Sequence, residues 1–170
     1  MFAARLSVGF VLLAAALSAR AEQVIVTINE ISTSGVGAPI GTVTLSDGPS
    51  GLVIQPKLKQ LAPGEHGFHV HANPDCGAAN NAAGMAAAGH YDPAKSEKHL
   101  GPKGEGHLGD LPALAVAPDG TATQSMTADR LKVADVKGHA LMIHEGGDNY
   151  SDQPKPLGGG GPRVACGVIK

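Results

Sequence analysis

Histidines are the residues of this sequence with the clearest capacity for chemistry. The chain contains eight, and two of them flank a valine in the stretch GFHVH at residues 67–71. Successive side chains of an extended strand point to opposite faces, so His69 and His71 are expected to share one face. Two imidazoles on one face form half of a metal site, although an isolated His-x-His more often marks only a polar edge strand.

More candidate ligands lie in the first of two long segments without strand character, residues 72–110 and 146–162. Unstructured segments of this length in a compact domain are usually functional or disordered, and the ligands favour function here. Three imidazoles and a carboxylate form a closed tetrahedral set of the kind that binds structural zinc. The members of this set are His90, His99, His107 and Asp110.

Three other imidazoles, those of His69, His71 and His144, remain for a second ion. Neutral imidazoles in a near-planar array suit Cu(II) and also accept Cu(I), which predicts a redox-active site beside the zinc site. His66 and His139 match no ligand position, and we interpret them as polar or structural residues.

Short β-rich segments must position these side chains. Stretches rich in β-branched residues and bounded by turn signals predict eight strands, and a single helical turn is expected near residues 131–136. The predicted strands lie near residues 23–30, 40–46, 51–59, 65–71, 112–117, 121–127, 139–144 and 163–169. This pattern predicts an all-β barrel or sandwich with two long functional loops.

Composition and charge exclude some partners. The formal net charge is −2, the lysines are scattered, and aromatic residues make up 3% of the chain. Neither a basic run nor a stacking platform for bases is present, so a nucleic-acid partner is not expected.

The N-terminus predicts export. Arg5 precedes an apolar run from Leu6 to Leu17, and Ala19-Arg20-Ala21 offers an A-x-A cleavage site, so residues 1–21 are interpreted as a signal peptide and residues 22–170 as one domain. No membrane association is expected after cleavage.

An oxidising compartment favours a disulfide between the two cysteines, Cys76 and Cys166. By the loop-entropy model, closing this loop would stabilise the folded state by at most roughly 4.5 kcal/mol.

Several motifs together resemble copper/zinc superoxide dismutase over essentially the whole chain after the signal. They are GFHVH at 67–71, GHYDP at 89–93, GHLGDL at 106–111 and GPRVACGVIK at 161–170. The segment DNYSDQPKPL at 148–157, followed by four glycines, resembles the exported bacterial branch of the family.

The resemblance implies a fold and a ligand assignment. The fold would be an eight-stranded Greek-key barrel, with Cys76 and Cys166 as its intrasubunit disulfide and Asp148 linking the copper and zinc ligands. His90 would bridge both metals. Copper would be bound by His69, His71, His90 and His144, and zinc by His90, His99, His107 and Asp110.

The implied activity is disproportionation of superoxide to oxygen and hydrogen peroxide in the periplasm, by a monomer or homodimer. Arg163 would sit beside copper and attract the anion, and His90 would carry a proton to the product. Steering of a charged substrate by the local field is established for superoxide dismutase itself. The alternatives from the residues alone are an exported copper/zinc-binding module without turnover and a secreted zinc hydrolase.

Overall fold

The computed structural model describes residues 22–170, and the predicted signal peptide at residues 1–21 lies outside this range. One helical turn, α1 (Val133–Val136), and two 3₁₀ turns, Met85–Ala87 and Leu157–Gly159, interrupt the strands. Within residues 22–170, no helix has the length and apolar character needed to span a membrane. The strands are β1 (Gln23–Ser32), β2 (Gly35–Gly48), β3 (Gly51–Leu58), β4 (Gly64–His66), β5 (Phe68–His71), β6 (Leu114–Val116), β7 (Met126–Ala128), β8 (Ala140–His144) and β9 (Arg163–Val168).

The strands form a curled antiparallel sheet with a Greek-key connection. Seven strands hydrogen bond in the order β5-β8-β9-β1-β2-β3-β7, and β4 pairs with β6 in a second, short sheet. The last strand of the chain lies beside the first, between β8 and β1, because β9 pairs with both of them. The predicted all-β Greek-key architecture is confirmed.

The first three strands form a meander whose inward side chains build the core. Alternate residues of a strand face one side, and Ile28, Val43 and Ile54 from β1, β2 and β3 are fully buried. Burial of an aliphatic side chain of this size contributes about 2 kcal/mol. This core supports the strands on which the histidines lie.

The single strand expected at residues 65–71 is two strands, because the chain changes sheets at Gly67. β4 pairs with β6, whereas β5 pairs with β8. The amide of Gly67 donates to the carbonyl oxygen of Gly146 at 2.7 Å, and its own carbonyl accepts from the amide of His144 at 2.9 Å. A Cβ at Gly67 would lie 3.1 Å from Cε1 of His69, so glycine permits the imidazole to pack against the backbone there.

Two predicted strands are shorter than expected. β6 occupies only residues 114–116 of the predicted 112–117, and β7 only residues 126–128 near the predicted 121–127. Pro112 and Pro118 flank β6 and have no amide to donate to a neighbouring strand. Ala122 makes a single isolated bridge to Leu58.

The predicted disulfide between Cys76 and Cys166 is present. It connects the segment after β5 to β9 across 90 positions of sequence, with the two Cα atoms 5.7 Å apart. Both cysteines are buried and pack with Ile31 and Met142 in a small second cluster. The disulfide therefore fixes the beginning of the long segment 72–110 to the barrel.

Candidate metal centre

Strands β5 and β8 place three of the candidate copper ligands next to one another. Phe68 and Val70 of β5 lie in the main core cluster, and the alternation of the strand puts His69 and His71 on its other face. All three histidines of the two strands, His69, His71 and His144, are buried.

The long segment 72–110 returns to β5 by backbone pairing. The amide of Val70 donates to the carbonyl of Gly109 and its carbonyl accepts from the amide of Tyr91, both at 2.8 Å. These bonds create isolated bridges from His71 to His90 and from His69 to Asp110. A Cβ at residue 109 would lie 2.3 Å from the Val70 carbonyl oxygen, so glycine is required for this approach.

The predicted zinc set converges on the carboxylate of Asp110. Its oxygens lie 3.0 Å from Nδ1 of His90, 3.0 Å from Nδ1 of His99 and 3.4 Å from Nδ1 of His107. Ligand atoms about 2 Å from a tetrahedral ion are separated by about 3.3 Å, so these spacings fit zinc.

A second grouping overlaps the zinc set. One ring nitrogen of His69 lies within 4.8 Å of donor atoms of His90, His99 and Asp110, a grouping that omits His107. His69 already uses Nε2 in a hydrogen bond to Asp148. In the part of the chain that the structure describes, Nδ1 of His107 is buried without a hydrogen-bond partner, as a ligand atom would be, and this favours His107 as a member of the predicted zinc set.

The predicted copper set is equally compact. Single donor atoms of its four histidines all lie within 4.8 Å of one another. The Nε2 atoms of His71 and His144 are 3.4 Å apart, and the rings of His69 and His90 stack with centroids 4.0 Å apart. This set consists of His69, His71, His90 and His144.

Five buried side-chain atoms have no hydrogen-bond partner within residues 22–170, and all belong to these two sets. They are Nδ1 of His69, Nε2 of His90, Nδ1 of His99, Nδ1 of His107 and Oδ2 of Asp110. Buried polar groups are almost always paired, so the concentration of all five unpaired atoms in these two sets fits side chains that ligate cations. His90 presents Nδ1 to Asp110 and leaves Nε2 for the copper set, so its ring fits both.

Asp148 joins the two sets through one carboxylate. Its Oδ2 accepts from Nε2 of His69 and its Oδ1 accepts from Nε2 of His99, both at 2.8 Å. The backbone amide of Tyr150 donates to Oδ1 at 2.8 Å. Because each ring carries its proton on Nε2, its Nδ1 lone pair is directed at the metal position.

Burial and the two carboxylates set the protonation of the rings. Burial lowers the pKa of His69 to about 3 and that of His144 to about 4, and it lowers the pKa of His71 well below the usual value. Burial also opposes protonation of His99, but the nearby carboxylate of Asp110 and the hydrogen bond that the ring donates to Asp148 outweigh it and raise the pKa of His99 to about 9. His99 differs from His69 because it faces two carboxylates.

Both carboxyl groups stay ionised in the buried centre. Burial alone would raise the pKa of Asp110 and of Asp148. The hydrogen bond from His90 and the nearby ring of His99 at Asp110, and the hydrogen bonds from His69 and His99 to Asp148, hold both pKa values well below the usual range. The centre thus contains two carboxylates together with the neutral imidazoles of the predicted copper set, and these groups are suited to bind cations.

Arg163 lies at the start of β9, opposite His144 across a bulge. Its guanidinium donates to the carbonyl of Gly84 at 2.6 Å and to that of Ala88 at 2.7 Å. The Ala88 carbonyl also accepts from Nδ1 of His71 at 2.9 Å, so Arg163 and a copper-side ring share one acceptor. These two carbonyls flank the 3₁₀ turn Met85–Ala87 in the long segment, and no side-chain pattern predicts them.

His66 and His139 stay outside both sets. The ring nitrogens of His66 lie 2.6 Å from the carbonyl of His144 and 2.7 Å from that of Ala62. His139 hydrogen bonds the carbonyl of Ala72 and packs on Tyr91, with ring centroids 4.1 Å apart. Both positions agree with their interpretation as structural residues.

Comparison with known proteins agrees with this geometry. The family model described as copper/zinc superoxide dismutase (SODC) matches residues 39–169. The chain belongs to the copper/zinc superoxide dismutase family. It is 55% identical to Superoxide dismutase [Cu-Zn] 2 of Salmonella typhimurium, covering 98% of this chain and 99% of the relative.

Two solved superoxide dismutases share the fold. The Cu/Zn superoxide dismutase from Brucella abortus matches with a TM-score of 0.85 and 48% identity, and the monomeric copper, zinc superoxide dismutase from Salmonella enterica with a TM-score of 0.79 and 55% identity. Each match covers 88% of this chain and 100% of the other. The resemblance expected from the motifs is confirmed: the chain is a superoxide dismutase, an oxidoreductase, and copper and zinc are the cofactors of its family.

Replacement of Asp148 by asparagine is expected to lower retention of both metals by about 10- to 100-fold. The amide replaces one of the two carboxylate oxygens by an NH2 donor, so either His69 or His99 faces a donor instead of an acceptor, and that ring would direct a protonated nitrogen at its ion. Metal content after graded chelator treatment measures the effect. Asp129→Asn, which changes an exposed carboxyl, is the matched control. Equal retention by the Asp148 and Asp129 variants would contradict the linking role.

Proposed function

We propose that the paired histidine sets disproportionate superoxide, converting two superoxide anions and two protons to oxygen and hydrogen peroxide. The observation that carries this proposal is the ring of His90, whose Nδ1 lies 3.0 Å from Asp110 while its buried Nε2 has no hydrogen-bond partner among residues 22–170. The proposed copper ligands are His69, His71, His90 and His144, and the proposed zinc ligands are His90, His99, His107 and Asp110.

The metals and the protein divide the chemistry. Copper, when bound, supplies a one-electron couple that superoxide both reduces and reoxidises, and zinc supplies a fixed positive charge. With Nδ1 on the Asp110 side, Nε2 of His90 would ligate copper or, when it does not, would carry a proton and deliver it to the peroxide product. Asp148 keeps His69 and His99 in the tautomers that ligation requires.

Arg163 attracts the anionic substrate. Its half-buried guanidinium uses one N–H each for the carbonyls of Gly84 and Ala88, and its remaining donors are available to a small anion. Burial is the main cause of the lowered pKa values of His71 and His144, and the positive charge of Arg163 lowers both further, so its field reaches both rings. A local positive charge matters because the whole chain has a formal charge of −2.

The proposed location of the protein is the periplasm, and residues 1–21 would be removed as a signal peptide. The apolar run with its A-x-A site supports export, and so does the disulfide, which oxidising compartments favour. The relatives of high identity are from bacteria, and the periplasm is an oxidising compartment of bacteria. Residues 22–170 would then be the mature domain.

We propose a monomeric state for the mature chain. The support is the Salmonella enterica protein, described as monomeric, which is 55% identical to this chain. A homodimer is the other arrangement expected from the sequence. A superoxide substrate requires neither a nucleic acid nor a membrane partner.

The second candidate function is an exported copper/zinc-binding module without turnover. It uses the same two ligand sets but has no need of a guanidinium beside His71. The position of Arg163 therefore favours the enzyme.

The proposal is tested by metal analysis together with a superoxide-disproportionation assay. Wild-type protein is expected to bind about one copper and one zinc per chain and to turn over. His90→Ala removes one ligand from each set, so turnover should fall to background and zinc retention should drop. His139→Ala removes an imidazole outside both sets and should change neither. A His90→Ala variant with wild-type turnover would refute the shared ring, and metal binding without turnover in wild type would favour the module.

Replacement of Arg163 by isoleucine is expected to slow turnover about tenfold and to weaken its dependence on ionic strength, because the local charge that draws in the anion is lost. Metal content should not change, since no ligand is removed. Arg163→Lys keeps the charge and should recover part of the rate. Lys57→Ile removes an exposed charge on β3, which β1 and β2 separate from β9, and serves as control. If the Arg163 and Lys57 variants lose rate equally, Arg163 has no special role.

A further inference from the structure

The predicted zinc ligands are held in two different ways. His90 and Asp110 are fixed to β5 by backbone bridges. His99 and His107 instead lie at the two ends of a loop at residues 98–107, which contains no strand and is closed by a hydrogen bond of 2.9 Å from the amide of His107 to the carbonyl of Lys98. Something outside the loop has to hold this pair of rings against Asp110.

Arg130 makes that contact on the His107 side. It follows β7, is half-buried, and directs its guanidinium into the loop. Nη1 donates to the carbonyl of Gly104 and, at 3.4 Å, to the carbonyl of His107 itself, while Nη2 donates to the carbonyl of Gly106 at 3.2 Å. Within residues 22–170 Arg130 has no carboxylate partner, so its charge is balanced by these carbonyl dipoles.

Glycines allow the three carbonyls to converge. A Cβ at Gly106 would lie 2.3 Å from the carbonyl oxygen of Lys98, and a Cβ at Gly104 would lie 2.5 Å from that of Leu100. The loop is therefore folded tightly on itself, with several carbonyl oxygens aimed at one place. Oxygens with partial negative charge repel one another there unless a cation with several donors lies between them.

We propose that Arg130 is a positioning residue for the zinc site. By holding the backbone on both sides of residue 107, it keeps Nδ1 of His107 within 3.4 Å of Asp110. This inference rests on the zinc role proposed above for His99 and His107. It goes beyond that role because Arg130 contacts neither metal position and belongs to none of the motifs singled out in the sequence.

The inference predicts a selective effect. The guanidinium makes no hydrogen bond to β5 or β8, which hold three of the four proposed copper ligands. Loss of Arg130 should therefore loosen zinc and leave copper in place. A residue that only stabilised the barrel would loosen both metals together.

The test follows metal loss from fully loaded protein in excess chelator, with copper and zinc release measured separately. Arg130→Met removes the charge and the fork of donors but keeps much of the length, and Arg130→Lys keeps the charge as a single donor group. Lys132→Met is the matched control, because Lys132 is a nearby basic residue that donates to the carbonyl of Gly48, outside the loop. Cobalt(II) exchanged into the zinc position gives an independent readout through its visible spectrum.

Zinc loss is expected to be about 10- to 100-fold faster in Arg130→Met, less accelerated in Arg130→Lys and within twofold of wild type in Lys132→Met, with copper loss unchanged in all three. The cobalt spectrum should change in Arg130→Met. Zinc release within twofold of wild type in both Arg130 variants would overturn the proposal, as would equal acceleration of copper and zinc. If Arg130→Met does not fold, zinc release from Arg130→Lys and the cobalt spectrum of that variant test the proposal instead. Wild-type protein that binds no zinc would instead overturn the proposed function.

Discussion

The backbone of Val70 makes the contact on which the metal centre depends. Both of its hydrogen-bonding groups pair with the long segment, the amide with Gly109 and the carbonyl with Tyr91. The residues next to these partners are Asp110 and His90, so this pairing brings the zinc side of the centre beside His69 and His71. The core under β5 and the disulfide at Cys76 hold the two segments in register, and the positions of His90 and Asp110 relative to His69 and His71 follow from that register.

This arrangement is electrostatically costly without cations. Two ionised carboxylates and a group of imidazoles are buried together, and five of their donor atoms lack partners within residues 22–170. Buried polar groups without partners destabilise the folded state, so binding of two positive ions at these sets would stabilise the fold. Asp148 makes the two places interdependent because one carboxylate orients a ring of each set.

The sequence predicted which side chains come together better than it predicted the contacts that support them. His69 and His71 share a face because β5 is a regular strand, and fixed motifs pointed to the remaining ligands. The change of sheet at Gly67 was not predictable, since it depends on backbone bonds to residues 144 and 146 that are distant in sequence. The carbonyl partners of Arg163 and Arg130 were missed for the same reason: loop carbonyls leave no signature in side-chain patterns.

The central claim is that one imidazole, that of His90, lies between two ions. Anomalous X-ray diffraction at the copper and zinc absorption edges of metal-loaded crystals tests it most directly. We expect a zinc peak beside Nδ1 of His90 and a copper peak beside Nε2, about 6 Å apart across the ring. A single peak, or two peaks bound by separate rings, would contradict the account.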